Sequence, residues 1–223
     1  MAAGSIHAQK QYRFGIKLYP ALAWSRVSPE VWADAAGIRY EYTGSGTKLR
    51  GGLGFVFDYY LSDNFVFGTG LNYYHHGSGY GIVTITSTIN NTINNNYTMQ
   101  VIQLPLTAKF ISNEVADRLK ITVGAGFALD YMTGASNNDK SNYQKTNGGQ
   151  IIYYSQDINN FNLNFTFAPG VEYELGGDFI IFTSILYGRG LLDANHGSTG
   201  IANDKNNFTW HNDYIAWEFG VKF

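Results

Sequence analysis

Tyr73-Tyr74-His75-His76-Gly77-Ser78 places two imidazoles and a hydroxyl within six residues, the side-chain types from which a hydroxyl nucleophile and its general base are built. His75 and Ser78 are therefore the candidate pair for catalysis, with His196 and His211 further along the chain. Such a pair needs hydrogen-bond reach and a third, orienting group, and spacing supplies neither. If this stretch is a strand, adjacent His75 and His76 point to opposite faces and cannot share a metal ion. The chain has no cysteine, which removes disulfides and thiolate zinc sites. Gly124-Ala125-Gly126 has no helix after it and so is no dinucleotide fingerprint. The expectation is a non-enzymatic protein without a metal or cofactor, and the alternative is a lipid A-modifying enzyme built on His75 and Ser78.

The charged residues form the second constellation. Lys17, Arg50, Asp58, Lys109, Lys120, Asp130, Glu172, Glu174, Glu218 and Lys222 all fall between apolar residues in stretches of alternating polarity. A period of two sends the charged set to one face of a strand and the apolar set to the other. Arg13, Lys17, Lys109, Lys120 and Lys222 should share one end of a common interior with Asp58, Glu172 and Glu174, with Glu218 nearer mid-height and Arg50 and Asp130 near the other end. Buried charges of both signs are expected to pair, giving a structural polar core. A narrow pore is the weaker alternative.

Eight alternating stretches can position these groups: Tyr12 to Trp24, Leu49 to Tyr59, Phe65 to His75, Tyr97 to Ile111, Leu119 to Met132, Phe161 to Tyr173, Phe179 to Tyr187 and residues 214–223. The fifth is the clearest, with Leu119, Ile121, Val123, Ala125, Phe127, Leu129 and Tyr131 opposed to Lys120, Thr122, Gly124, Gly126 and Asp130. The seventh is apolar on both faces, which leaves its register open. Short connections (Leu61 to Asn64, Ser112 to Arg118, Gly176 to Asp178) alternate with long ones (25–48, 76–96, 133–160, 188–212). Strands of this length, with short turns at one rim and long loops at the other, match an eight-stranded antiparallel up-and-down transmembrane β-barrel with periplasmic turns and extracellular loops.

Which face meets lipid follows from composition. Aromatics make up 16% of the chain and charged residues only 14%, against about 25% charged in soluble domains. The set holding Gly52, Gly54, Gly68, Gly70, Gly124, Gly126, Lys120 and Glu172 is too small and too charged for a greasy cavity of the lipocalin kind. The aromatic set therefore points outward. Two aromatic girdles are expected, Phe14, Tyr59, Phe65, Phe110, Tyr173 and Phe223 low, Trp24, Tyr73, Tyr131, Tyr187 and Trp217 high. A net charge of −2 without a basic cluster argues against nucleic acid. Residues 1–11 are set aside as the remnant of a signal or a cloning scar, and 12–223 form one barrel domain. Ser28-Pro29-Glu30 suggests a short helix ending near Gly37, and Thr84 to Asn96 a hairpin extension.

Val101-Ile102-Gln103-Leu104-Pro105-Leu106-Thr107-Ala108-Lys109-Phe110, the following strand with Gly124-Ala125-Gly126, and the aromatic carboxy terminus resemble the PorT-like small outer-membrane barrels of Bacteroidetes. The resemblance covers roughly 12–223. It implies a location in the bacterial outer membrane and, for some members, a link to protein secretion. The function expected is an envelope scaffold or accessory subunit of a larger outer-membrane complex. Its partners would be outer-membrane lipid, lipopolysaccharide and other envelope proteins. Trp217, Phe219, Val221 and Phe223 resemble the signal read by the barrel assembly machinery. Deleting Phe223 should accordingly lower membrane insertion, scored by heat-modifiable gel mobility, more than removal of one outer-loop residue does.

Overall fold

The computed structural model describes residues 11–44, 46–85, 90–137, 146–147, 150–151, 158–176, 178–196 and 208–223. Its elements are β1 (Tyr12–Leu18), β2 (Ala21–Ser28), β3 (Val31–Ala33), β4 (Arg39–Gly44), β5 (Lys48–Tyr60), β6 (Phe65–Ile85), β7 (Asn90–Ala116), β8 (Leu119–Asn137), β9 (Thr146–Asn147), β10 (Gln150–Ile151), β11 (Phe161–Gly176), β12 (Phe179–Gly190) and β13 (Thr209–Lys222).

β1 and β2 are one wall strand interrupted at Pro20, whose missing N–H breaks the ladder. Both pair with β5 on one side and β13 on the other in a single register, Leu18 opposite Leu53 and Phe219, Ala21 opposite Arg50 and Ala216. The ring then runs antiparallel through β5, β6, β7, β8, β11, β12 and β13 and closes on β1. It is an eight-stranded up-and-down barrel.

Strand tilt can be read from the register. Stepping across paired residues from Ile215 leads through Tyr187, Phe167, Ala125, Ala108, Phe67 and Tyr59 to Tyr12, whereas Ile215 itself pairs with Leu22. The ring returns ten residues displaced along the first strand, between Tyr12 and Leu22. Closure with such a stagger forces the strands to lean on the barrel axis.

The alternation resolves as expected, aromatic and aliphatic side chains outward and charged ones inward. Phe14, Ile16, Leu53, Phe55, Phe67, Leu104, Ile121, Phe127, Phe165 and Phe219 are exposed on the outer wall, while Asp58, Asn72, Gln103, Glu172, Glu218 and Lys222 are buried. β12 settles the open register: Ile180, Phe182 and Leu186 face in, and Phe179, Ile181 and Ile185 face out. Trp217 was expected in the upper girdle, yet it lies two residues nearer the short-turn rim than Ile215, the partner of Tyr187. Its indole N–H donates to Thr183 Oγ1 at 2.6 Å, so it does not need interfacial water.

Two of the supposed long loops, 25–48 and 76–96, carry more order than their composition suggests. Strand β6 continues to Ile85, and β7 starts at Asn90 and pairs with it along its length. β4 adds to the upper part of β6, and β3 adds to β4. No helix follows Ser28; the segment enters β3, and Asp34 Oδ1 accepts the N–H groups of Ala36 and Ile38 in a side-chain-stabilised turn. Gly37 sits in that turn with φ +80°, a conformation that disfavours other residues. Most of 133–160, and residues 197–207 of the last loop, lie outside the described residues.

A position midway up the outer face tests the orientation without loss of packing. Ala125→Arg should destabilise the barrel by about 2 to 4 kcal/mol, and Thr122→Ser, on the inner face, should stay near wild type, as read by unfolding in lipid vesicles.

Candidate functional site in the barrel lumen

At the level of the short turns the lumen is filled by paired charges. Lys222, 1% exposed, reaches from the closing strand to Asp58 Oδ2 at 2.6 Å and Glu172 Oε1 at 2.5 Å. Lys109 meets the other oxygen of Asp58 at 2.5 Å. Slightly higher, Lys17 meets Glu218 Oε1 at 2.5 Å, and Ser184 Oγ donates to Glu218 Oε2 at 2.9 Å. The three lysines thus face three carboxylates, and no net charge is left in the layer. Gly68 makes room for it, since a Cβ there would lie 2.8 Å from Lys109 Cε. Lys120 and Glu174 pair separately at 2.6 Å on the more open rim. Arg13 donates instead to the Asp178 carbonyl at 2.7 Å.

Above this layer lies a cavity of about 80 Å³ bounded by Lys17, Asn72, Gln103, Thr166, Glu218 and Lys222 among others. Asn72 Oδ1 and Thr166 Oγ1 are buried there without a protein partner. Val56, Ala128, Phe182 and Leu186 make much of the remaining lining apolar, and a chamber of that size has room for ordered waters at its polar groups, which would satisfy both atoms.

The next layer separates its charges by aromatic rings. Asp130 accepts from Tyr74 O–H at 2.5 Å, Gln103 Nε2 at 2.7 Å and Asn164 Nδ2 at 2.8 Å. Arg50 makes no ion pair with it. Its guanidinium lies between two tyrosine rings, 3.5 Å from the Tyr74 centroid and 3.8 Å from that of Tyr214, a cation–π arrangement that compensates part of its desolvation. Gly188 allows this, because a Cβ there would collide with the Tyr214 ring.

Beyond the wall the lumen ends in an aromatic cap. Trp210, fully buried, stacks on Tyr97 at 5.7 Å and meets Tyr80 edge-on at 5.2 Å; Phe208 stacks on Tyr42 at 4.5 Å. Burial beside Tyr40 and Tyr80 pushes the Tyr42 phenol up to about 12. This cap was not anticipated. Its residues sit in segments with loop-like composition, and only the alternation of Tyr80 and Ile82, of Tyr40 and Tyr42, and of Phe208 and Trp210 hints at it.

The structure does not bring His75 and Ser78 together. They lie on opposite faces of β6: His75 is exposed against Tyr73, with ring centroids 5.2 Å apart, and Ser78 is buried. The Ser78 hydroxyl bonds Asn212 Oδ1 and lies 2.9 Å from Ser25 Oγ. A strand that runs on past His75 separates odd and even residues, which dismantles the pair. Among the described residues no cluster of three metal-ligating side chains occurs.

A family model described as the outer membrane protein beta-barrel domain matches residues 7–195. The chain belongs to that family. It is accordingly a protein of the bacterial outer membrane. No curated protein matches it in sequence. Among solved structures it is similar to Neisserial surface protein A, with 13% identity, 94% of this chain and 97% of that one covered, and a TM-score of 0.45. It is also similar to Ail of Yersinia pestis (9% identity, 94% and 98% covered, TM-score 0.34) and to the N-terminal barrel of Pseudomonas aeruginosa OprF (11%, 91% and 97%, 0.33).

In a barrel of this family the lower ion layer should contribute far more to stability than the rim pair. Asp58→Asn leaves Lys109 and Lys222 short of a carboxylate and should cost about 3 to 5 kcal/mol. Lys120→Gln should cost below about 1 kcal/mol, both measured by urea unfolding in vesicles.

Proposed function

We propose that this barrel is a non-enzymatic envelope scaffold or accessory subunit of a larger outer-membrane complex. The observation that carries the reading is the double closure of the lumen. Lys17, Lys109 and Lys222 with their carboxylates fill its lower end, and Trp210, Tyr80, Tyr97 and Phe208 fill its upper end. Solute passage would require breaking a charge-balanced buried network or unstacking a buried aromatic cluster, and both are costly. The surfaces left for contact are the lipid face, the periplasmic turns and the sheet built by β3, β4, β6 and β7 beyond the wall. Protein partners in the envelope, lipopolysaccharide and the assembly machinery belong to this reading.

The finer assignment, a PorT-like barrel of Bacteroidetes with a link to protein secretion, draws its support from the pattern of residues 101–110, from Gly124-Ala125-Gly126 and from the aromatic end of β13. A lipid A-modifying role loses its stated pair through the separation of His75 from Ser78 across β6.

Purification from native outer membranes in mild detergent should recover the barrel with a stoichiometric protein partner. In planar bilayers it should give no sustained conductance, and Glu172→Ala should lower stability without creating ion selectivity. A solitary, steadily conducting barrel whose cation preference shifts in Glu172→Ala would replace the scaffold with a pore.

A further inference from the structure

Although the outer wall is largely apolar, one patch of it is charged. On β12 the outward residues Ile185, Tyr187 and Arg189 climb toward the extracellular rim, and Leu191 follows, exposed. Arg189 is exposed and stands opposite Phe165 of β11 and Asp213 of β13. The nearest acid is already engaged. Asp213, itself buried, takes the Gly190 N–H on Oδ1 at 3.1 Å and Arg26 Nε on Oδ2 at 3.2 Å. Arg26 also donates from Nη2 to the Gly190 carbonyl at 3.3 Å and keeps 38% of its side chain exposed. Two arginines therefore flank one carboxylate, and the Arg189 guanidinium makes no hydrogen bond or ion pair among the described residues.

A guanidinium at this level, bracketed by Phe165, Tyr187 and Leu191, faces the headgroup boundary rather than bulk water. There it is stabilised by an anion that its planar fork can grip with two N–H groups. Beside Arg26 runs a groove of about 440 Å³ lined by Trp24, Ser25, Glu30, Tyr42, Thr43 and Gly44. An indole, a carboxylate and backbone groups in one groove suit a hydroxylated sugar. His211 stands opposite Arg26 on β13 and adds no negative charge.

We propose that Arg189 and Arg26 bind a phosphate of outer-leaflet lipid A on the wall formed by β12, β13 and β2, with the groove beside Arg26 receiving its glucosamine headgroup. The site rests on the outer-membrane location and wall orientation alone. It deepens the lipopolysaccharide contact of the proposed function, and its test does not depend on finding a protein partner.

The full chain is reconstituted in phosphatidylcholine vesicles with bisphosphorylated lipid A, with lipid A stripped of its phosphates, or with inorganic phosphate in the buffer. Lipid A retained per barrel is then measured by mass spectrometry after mild detergent extraction. Bisphosphorylated lipid A should be retained, and Arg189→Gln should weaken retention about tenfold. Arg189→Lys should fall between the two. Arg39→Gln, which alters the exposed Arg39–Glu41 pair in β4, should match wild type. Heat-modifiable gel mobility identifies the folded barrel for each variant. Equal retention by folded Arg189→Gln, or equal retention of dephosphorylated lipid A, overturns the proposal. Competition by millimolar inorganic phosphate that abolishes retention in an Arg189-dependent way would assign the patch to free phosphate instead and also overturn it.

Discussion

Hydrocarbon offers no partner for a backbone N–H or C=O, so a sheet that spans a membrane must close on itself. In this chain the closure falls between β13 and the interrupted strand β1–β2, and its register is continuous across Pro20. The side chains that meet inside are a consequence of that register. Gly15 pairs with Lys222 across the seam, which carries the Lys222 ammonium to Asp58 and Glu172. A one-residue slip would turn Lys222 outward into lipid, strand Glu172 and leave Asp58 with Lys109 alone. Closure and charge pairing therefore support one another.

The interior is organised by height. Near the short turns, opposite charges pair directly; in the middle a small chamber of mixed lining remains; above it Arg50 and Asp130 are held apart, one between tyrosine rings and the other among hydrogen-bond donors. The cap of Trp210, Tyr97, Tyr80 and Phe208 then shields these groups from the extracellular side. Small residues at Gly68 and Gly188 are where large side chains need the space. The glycine content of the inner face thus serves packing of lysine and tyrosine rather than an open bore. On the outside, the Arg26–Asp213–Arg189 patch shows that the wall facing lipid is not uniformly inert.

Period-two alternation alone made the fold class, the eight wall strands and the inward placement of Lys17, Arg50, Asp58, Lys109, Asp130, Glu172, Glu218 and Lys222 legible, because burial on one face of a closed sheet repeats every second residue. It also put His75 and His76 on opposite faces. What it lacked was any measure of where a strand stops. Gly77, Gly79 and the asparagines after Asn90 have low strand propensity, yet β6 and β7 run through them because each pairs with the other and β4 covers β6. Capping residues suggested a helix after Ser28, where the chain instead forms a β3–β4 hairpin.

Partner choice within the lumen needed the tertiary structure. Lys222 meeting both Asp58 and Glu172, Lys17 meeting Glu218, and Arg50 stacking on Tyr74 and Tyr214 instead of pairing with Asp130 all depend on the stagger of the closed ring, which no local pattern encodes. So does the aromatic cap, whose residues come from segments more than a hundred positions apart and meet only once the ring has closed. The sequence determined which face of each strand is polar, since that is a property of neighbours along the chain. Only the closed ring, by setting strand tilt and register, decided which polar groups touch.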